Sequence, residues 1–225
     1  MDEGDALLSR TAAGRAAPPF AYLLGRLHAV WELGDATAAA GFAVRCLATY
    51  AEHGGEADLD VRGSRVRLVV GAIERGGVAP ADVRLAKELA AQAAGVGALV
   101  VPDPASELEV AVDALEISAV RPFWRAVLGY VDDGSGSLRD PERRGPVVWF
   151  QQMSEPRSER NRIHLDVTVD PDHARPRVEK ALAAGGHLVE DRWAPMFWVL
   201  ADAEGNEVCV CSWEGRDEHE TDQGE

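Results

Sequence analysis

Residues 121–130 read Arg-Pro-Phe-Trp-Arg-Ala-Val-Leu-Gly-Tyr, and this stretch decides the fold of the second half of the chain. Together with the residues from Ser118 onward it predicts a helix that runs to Leu128. Gly129 is expected to end that helix, because glycine often follows the last helical turn. Apolar runs at 108–112 and 147–153 predict strands before and after the helix.

The same order of elements occurs again further along the chain. A strand is predicted over 163–169 and a helix over 174–184, which Gly185-Gly186 would end. Later strands are predicted at 198–200 and 208–211. Two successive units of about 50 residues, each with one strand, one helix and several further strands, predict a paired module that encloses a pocket between its halves.

The first half of the chain predicts a different order of elements. A strand over 25–33 is followed by a helix to about residue 52, with apolar residues at spacings of three and four. Alternating residues over 58–70 predict a hairpin, and Pro80 opens a second helix. The expected fold class is therefore α+β. The predicted domains are a loose arm (1–19), a first domain (20–98), a linker (99–107), a second domain (108–213) and an acidic tail (214–225).

Composition and charge exclude several classes of partner. The chain of 225 residues has 38 Asp and Glu against 23 Lys and Arg, a formal charge of -15. Such a charge repels phosphate backbones and anionic headgroups, so neither nucleic acid nor a membrane is an expected partner. Three cysteines without metal-binding spacing fit a reducing cytoplasm. The first residues also lack the pattern of a signal peptide.

Three segments of the second domain carry a family resemblance. They are residues 121–130, residues 161–167 (Asn-Arg-Ile-His-Leu-Asp-Val) and residues 201–207 (Ala-Asp-Ala-Glu-Gly-Asn-Glu). Residues 108–213 resemble the glyoxalase-like, or vicinal oxygen chelate, superfamily. The resemblance implies paired βαβββ modules that form an open, cup-shaped sheet around one small-molecule site.

The resemblance also implies positions for metal ligands. Members of the superfamily usually place ligands on the first and last strands of each module, and these positions hold Glu109, Gln151, His164 and Cys209. A divalent metal ion there would act as a Lewis acid on two adjacent substrate oxygens. A thiolate at Cys209, where a carboxylate is expected, would either favour zinc or remove the metal. For His164 and Cys209 the alternative is an ordinary packing role, and for Glu109 a solvent-facing charge.

Tryptophans are concentrated in the second domain, which contains five of the six. Tryptophan offers a broad apolar surface and one hydrogen-bond donor, so Trp124, Trp149 and Trp198 are candidates to line an aromatic pocket. The alternative for each is a place in the core. The segment 202–206 is interpreted as a turn between two strands.

The first domain resembles pterin-4a-carbinolamine dehydratase over residues 20–97, through the hairpin 58–66 and the segment 76–86. The resemblance implies an α/β sandwich, an antiparallel sheet with helices on one face. Its chemistry relies on a His-His-Pro segment and a Thr-His pair, and these positions hold Gly55-Glu56-Ala57 and Ala72-Ile73.

Loss of these histidines has a chemical consequence, because expulsion of water needs a proton donor and an acceptor that titrate near neutral pH. Gly55, Ala57 and Ile73 cannot transfer protons. Glu56 and the nearby His53 are the remaining candidates for a residual acid.

Three functions follow as hypotheses. The first is a cytoplasmic small-molecule-binding protein with a degenerate dehydratase-like domain, whose net charge favours a cationic ligand. The second is a metal-dependent lyase, isomerase or dioxygenase that uses Glu109, Gln151 and His164. The third is a 4a-hydroxytetrahydrobiopterin dehydratase with residual activity. Because dehydratases of this type form tetramers and glyoxalase-like domains often dimerise, a homo-oligomer is also predicted.

Overall fold

The structure is a computed structural model, and it describes residues 6–54, 58–72, 75–101, 107–156 and 165–214. The chain divides into two units, residues 1–107 and residues 108–225. Both units combine helices with sheets, so the predicted α+β class is confirmed. In the described part of the chain, no helix has both the length and the apolar character needed to cross a membrane.

The first unit is one antiparallel sheet with helices. The helices are α1 (Arg10–Ala16), α2 (Ala36–Glu52) and α3 (Pro80–Gly95). The strands are β1 (Ala21–Leu23), β2 (Arg26–Glu32), β3 (Asp58–Arg62), β4 (Arg65–Val70) and β5 (Leu99–Val100). The strand order is β1-β2-β4-β3; β1 pairs with the first residues of β2 and β5 with its last residues.

Alternation along the strands gives this sheet one apolar face. Alternate residues of β2 and β4 enter a core that centres on Trp31, whose ring makes edge contacts with Phe20 and Phe42. Asp35 caps α2 by accepting a hydrogen bond from the Ala38 amide at 2.8 Å. The order strand, helix, hairpin, helix therefore appears as predicted.

The predicted arm and linker contain additional structure. Helix α1 lies within residues 1–19, and Ala13 on it is completely buried in the core. Strand β5 lies within 99–107 and pairs with β2. The Ala-rich sequence of α1 has little hydrophobic periodicity, so the sequence did not predict a helix there. The structure shows the helix through the packing of its small residues against the core.

The second unit consists of two sheets of the same design. In each sheet the first strand pairs in parallel with the fourth, which is followed by the third and the second. The first module comprises β6 (Glu109–Ala114), α4 (Ile117–Leu128), β7 (Val131–Asp132), β8 (Leu138–Arg139) and β9 (Val147–Gln152). The second comprises β10 (Leu165–Thr168), α5 (Pro171–Ala183), β11 (His187–Glu190), β12 (Phe197–Ala201) and β13 (Glu207–Cys211). The predicted repeat of βαβββ modules is confirmed.

Helices α4 and α5 pack on the same core as both sheets. Phe123 and Ala181 are completely buried there, together with Val208 and Val210 of β13. Gly129 ends α4 in the left-handed conformation, with φ of 72°, as its place in the sequence predicts. We call the faces of the two sheets that point away from this core the open face.

Candidate functional site

The open face of the second module is defined by the register of its central strands. Asp166 of β10 lies opposite Cys209 of β13, and Cys209 lies opposite Val199 of β12. The neighbouring residues of β13, Val208 and Val210, are completely buried in the core. Since side chains alternate along a strand, Asp166, Cys209 and Val199 form one row on the open face.

The open face of the first module follows in the same way from the pairing of β6 with β9. Asp113 lies opposite Gln151, whereas Glu109 lies opposite Val147. Val112 and Ala114 are buried, which places the alternate residues of β6 on the open face. Each module therefore sets an aspartate on its first strand beside a polar residue on its last strand.

Asp113 and Asp166 were missed by sequence reasoning, which followed the family positions at Glu109 and His164. The signal that could have found them is the alternation of acidic and apolar residues in the two first strands. His164 lies outside the described residues.

Cys209 is a protonated thiol in this environment. Burial raises its pKa to about 12, and the carboxylate of Asp166 and the other acidic groups nearby act in the same direction. The thiolate is the reactive form of cysteine, and a thiol with this pKa holds very little thiolate near neutral pH. Cys209 is therefore a weak nucleophile.

We expect the three cysteines of the native protein to react slowly with a thiol-specific reagent at pH 8. Cys46 and Cys211 are buried, and the pKa of Cys46 is also raised to about 12 by burial. The substitution Asp166→Asn should accelerate the labelling of Cys209, by roughly threefold for each pKa unit that the carboxylate contributes, because the gain in thiolate is partly offset by its lower nucleophilicity. Mass spectrometry of labelled peptides checks this, with Asp172→Asn on α5 as the control. Equal rates of Cys209 labelling in Asp166→Asn and Asp172→Asn would contradict the pairing of Asp166 with Cys209.

The two candidate ligands of the first module do not converge. Glu109 and Gln151 stand four positions apart in register, which is about 13 Å along the strands. Both side chains are exposed, and the amide nitrogen of Gln151 donates to the Gln152 carbonyl at 3.3 Å. Within the described ranges, no three His, Cys, Asp or Glu side chains come together as one metal ion would require. The described donors therefore do not fit a metal centre of this kind.

The three candidate tryptophans occupy different places. Trp124 of α4 is 2% exposed and Trp198 of β12 is 6% exposed, and both belong to the core between helices and sheets. Trp149 lies opposite Ala111 in the register of β9, so alternation places it on the open face. Of these three side chains, Trp149 alone is positioned to meet a ligand there.

The segment 202–206 forms the turn between β12 and β13, as predicted, and it is a structural centre. Asp202 is completely buried, and its carboxyl group accepts from the indole Nε1 of Trp124 at 2.9 Å. The same group accepts from the Glu204 amide and from both the backbone and side-chain nitrogens of Asn206, at 2.8 to 2.9 Å. These four hydrogen bonds replace the bonds to water that the carboxyl group of Asp202 loses on burial.

Glu204 connects the same turn to the start of α4. Its two carboxylate oxygens accept from the backbone amides of Leu115 and Glu116 at 2.7 and 2.6 Å. Asn206 also donates to the Asp113 carbonyl at 3.3 Å. The turn therefore joins the second module to the first. This structural role explains why the turn contains polar residues, and no bound ligand is needed to explain them.

The first unit also contains positions that the sequence singled out. Gly55, Glu56, Ala57 and Ile73 lie outside the described residues. His53 follows α2 directly, and its Nε2 lies 2.9 Å from a carboxylate oxygen of Glu88 on α3. This exposed pair links the two helices.

Comparison with known proteins gives one family match. Residues 109–211 match the glyoxalase-like domain family, so the chain carries a glyoxalase-like domain in its second unit. No curated protein matches the chain.

Several solved structures are similar to parts of the chain. A glyoxalase/bleomycin resistance protein/dioxygenase family enzyme from Burkholderia phytofirmans is 22% identical over 48% of this chain and 98% of its own, with a TM-score of 0.40. A FosX fosfomycin resistance protein from Listeria monocytogenes, complexed with Mn(II), is 12% identical over 48% and 90%, with a TM-score of 0.37. A transcriptional coactivator/pterin dehydratase from Brucella melitensis is 17% identical over 39% and 99%, with a TM-score of 0.36.

Proposed function

We propose that the glyoxalase-like domain at residues 109–211 binds a small organic molecule on its open face without a catalytic metal ion. The observation that carries this proposal is the separation of Glu109 from Gln151, because these two side chains lie four positions apart in register and would have to meet at one ion. Cys209 supports it, since a thiol stands beside Asp166 where a carboxylate ligand is expected.

The open face has the mixture of groups that small-molecule sites use. Trp149 and Val199 supply apolar surface, while Gln151 and the two aspartates supply polar contacts. The net charge of -15 favours a cationic ligand over an anionic one, since the field of the whole chain attracts positive charge.

A thermal-shift screen tests this assignment directly. Neutral and cationic organic compounds would be screened against the full chain, and hits retested on Val199→Trp, which fills the open face. The account expects hits whose stabilisation disappears in Val199→Trp and persists in Val44→Trp, a substitution at an exposed position of α2. A screen in which every hit survives Val199→Trp, or a screen without a single stabilising compound, would contradict the assignment.

We also propose that the first unit is a dehydratase-like scaffold that has lost dehydration chemistry. The residues at the family's histidine positions carry no imidazole, and His53 is engaged with Glu88 at 2.9 Å. The imidazole pair that serves as proton donor and acceptor in the family is therefore missing, and Glu56 is the one titratable residue at these positions. The unit would then serve for packing or for assembly into a homo-oligomer.

The expected result in a dehydratase assay is no turnover of 4a-hydroxytetrahydrobiopterin above the uncatalysed rate. Turnover would overturn the scaffold assignment. If that turnover also persisted in the double variant His53→Ala, Glu56→Ala, the proposed residual acid would be excluded as its source.

A further inference from the structure

A groove of about 380 Å³ lies on the side of the second module opposite to its open face. Trp198 pairs with Val210 in the register of β12 and β13, and Val210 is completely buried in the helix-facing core. The groove therefore shares no lining residue with the row of Asp166, Cys209 and Val199. Its lining residues are Pro171, Arg175, Ala194, Pro195, Trp198 and Glu214.

The wall that carries Pro195 is fixed by the residues around it. The hydroxyl of Ser212 donates to the Pro195 carbonyl at 2.8 Å, and the Ser212 amide donates to the Met196 carbonyl at 2.8 Å. Trp193 stacks on Phe197 with ring centroids 6.4 Å apart. Because the loop is held on both sides, the groove exists before any ligand arrives, and this reduces the entropic cost of binding.

Polar groups of both signs meet at this groove. Arg175 on α5 offers a guanidinium, whose paired N–H groups suit a carboxylate. Trp198 lines the groove, is 6% exposed and carries one indole N–H donor. Glu214 offers an acceptor for a cationic group.

The other four lining residues have apolar side chains. They are Pro171, Ala194, Pro195 and Trp198. Such side chains favour an aromatic or aliphatic side chain of the ligand. The volume falls at the small end of ligand pockets, which span roughly 300 to 1,000 Å³.

We infer that this groove is a second binding site, for a small zwitterionic molecule of the type of an apolar or aromatic α-amino acid. Arg175 and the indole N–H of Trp198 receive its carboxylate, Glu214 receives its ammonium group, and the proline and indole walls pack on its side chain. The site does not depend on a ligand at the open face.

Calorimetric titration of the full chain with three probes tests the inference. L-Phenylalanine carries both charges, 3-phenylpropanoate lacks the ammonium group, and 2-phenylethylamine lacks the carboxylate. We expect L-phenylalanine to bind about tenfold more tightly than either analogue, the factor expected for one charge-assisted hydrogen bond. Equal affinities, or no binding of L-phenylalanine at millimolar concentration, would overturn the inference.

Variants assign each contact. Arg175→Gln should weaken L-phenylalanine and 3-phenylpropanoate about tenfold and leave 2-phenylethylamine unchanged. Glu214→Gln should weaken L-phenylalanine and 2-phenylethylamine and leave the acid unchanged. Trp198→Phe keeps an aromatic wall and removes the donor, so it should weaken both carboxylates. Its thermal unfolding would be compared with that of the wild type first, to confirm that it folds.

Two control variants complete the design. Arg84→Gln removes an exposed arginine from α3 in the first unit, and Asp166→Asn changes the open face. Neither should alter the affinity for L-phenylalanine. If Arg84→Gln lowered the affinity for L-phenylalanine as much as Arg175→Gln, the effect of Arg175 would come from net charge and not from a contact. If Asp166→Asn lowered this affinity, the ligand would bind at the open face. Either result would overturn the inference.

Discussion

Replacement of Asp202 by alanine is expected to lower the free energy of unfolding of the second unit by about 3 to 5 kcal/mol. The carboxyl group of Asp202 is completely buried and accepts four hydrogen bonds, from Trp124, Glu204 and Asn206. Alanine leaves the buried indole N–H of Trp124 and three partly buried donors of Glu204 and Asn206 without their acceptor, and each unsatisfied group costs free energy in proportion to its burial. Urea denaturation monitored by tryptophan fluorescence measures the loss.

Two further variants control this prediction. Trp124→Phe removes one of the four donors and keeps an aromatic ring in the core, so it should cost about 1 to 2 kcal/mol. Glu142→Ala removes an exposed acidic group and should change stability by less than about 0.5 kcal/mol. A loss for Asp202→Ala no larger than that for Trp124→Phe would show that the turn does not connect the modules as described.

Acidification is expected to destabilise the first unit through His28. This side chain is 3% exposed, and burial together with the guanidinium groups of Arg67 and Arg26 lowers its pKa from 6.5 to about 4. Its Nδ1 lies 3.1 Å from Nη2 of Arg67, which can only donate, and this contact favours the neutral ring with Nδ1 as acceptor. The carboxylate of Glu107, 3.3 Å from the same nitrogen, favours the charged ring, but it is also paired with Arg67, and burial with the two guanidinium groups outweighs it.

The direction of the pH effect follows from proton binding in the two states. Between pH 6.5 and pH 4, His28 is protonated in the unfolded chain and neutral in the folded chain. The contribution of His28 to stability is therefore complete above pH 6.5 and is lost as the pH decreases towards 4, by about 3 kcal/mol over the full window. Urea denaturation at pH 7 and at pH 4.5 would measure this difference.

The variant His28→Gln isolates the contribution of this residue. Glutamine does not titrate, so the loss between pH 7 and pH 4.5 should be smaller in the variant by about the same amount. His187→Gln, at an exposed position of β11, serves as the control and should keep the full pH dependence of the wild type. An unchanged pH dependence in His28→Gln would contradict the buried, neutral state of the ring.

Strong local signals made much of the fold predictable from the sequence. The apolar run before α4, the left-handed Gly129 after it and the repetition of this order in the second module all act within a few residues. Strands β1, β5, β7, β8 and β11 were not predicted. Segments of two to four residues have too little alternation to produce a pattern, and their pairing with other strands determines them.

The candidate site was less predictable from the sequence than the fold. The register of two strands that are separated by a helix, such as β6 and β9, cannot be read from the residues of either strand. The pairing of β6 with β9 places Asp113, and not Glu109, beside Gln151. Trp198 lies in a strand whose neighbours Val199 and Leu200 are also apolar, so alternation alone could not tell which face enters the core. The hydrogen bond of Trp124 to Asp202 joins residues 78 positions apart and is likewise a tertiary feature.

The central claim is that the open face binds small molecules without a catalytic metal ion, and elemental analysis tests it most directly. Untagged protein would be purified without chelators, then incubated with zinc, iron, nickel or manganese and desalted, in parallel with His164→Ala. The account predicts metal contents far below one ion per chain in both proteins, before and after incubation. Near-stoichiometric metal that is lost in His164→Ala would contradict it and identify a Lewis-acid enzyme.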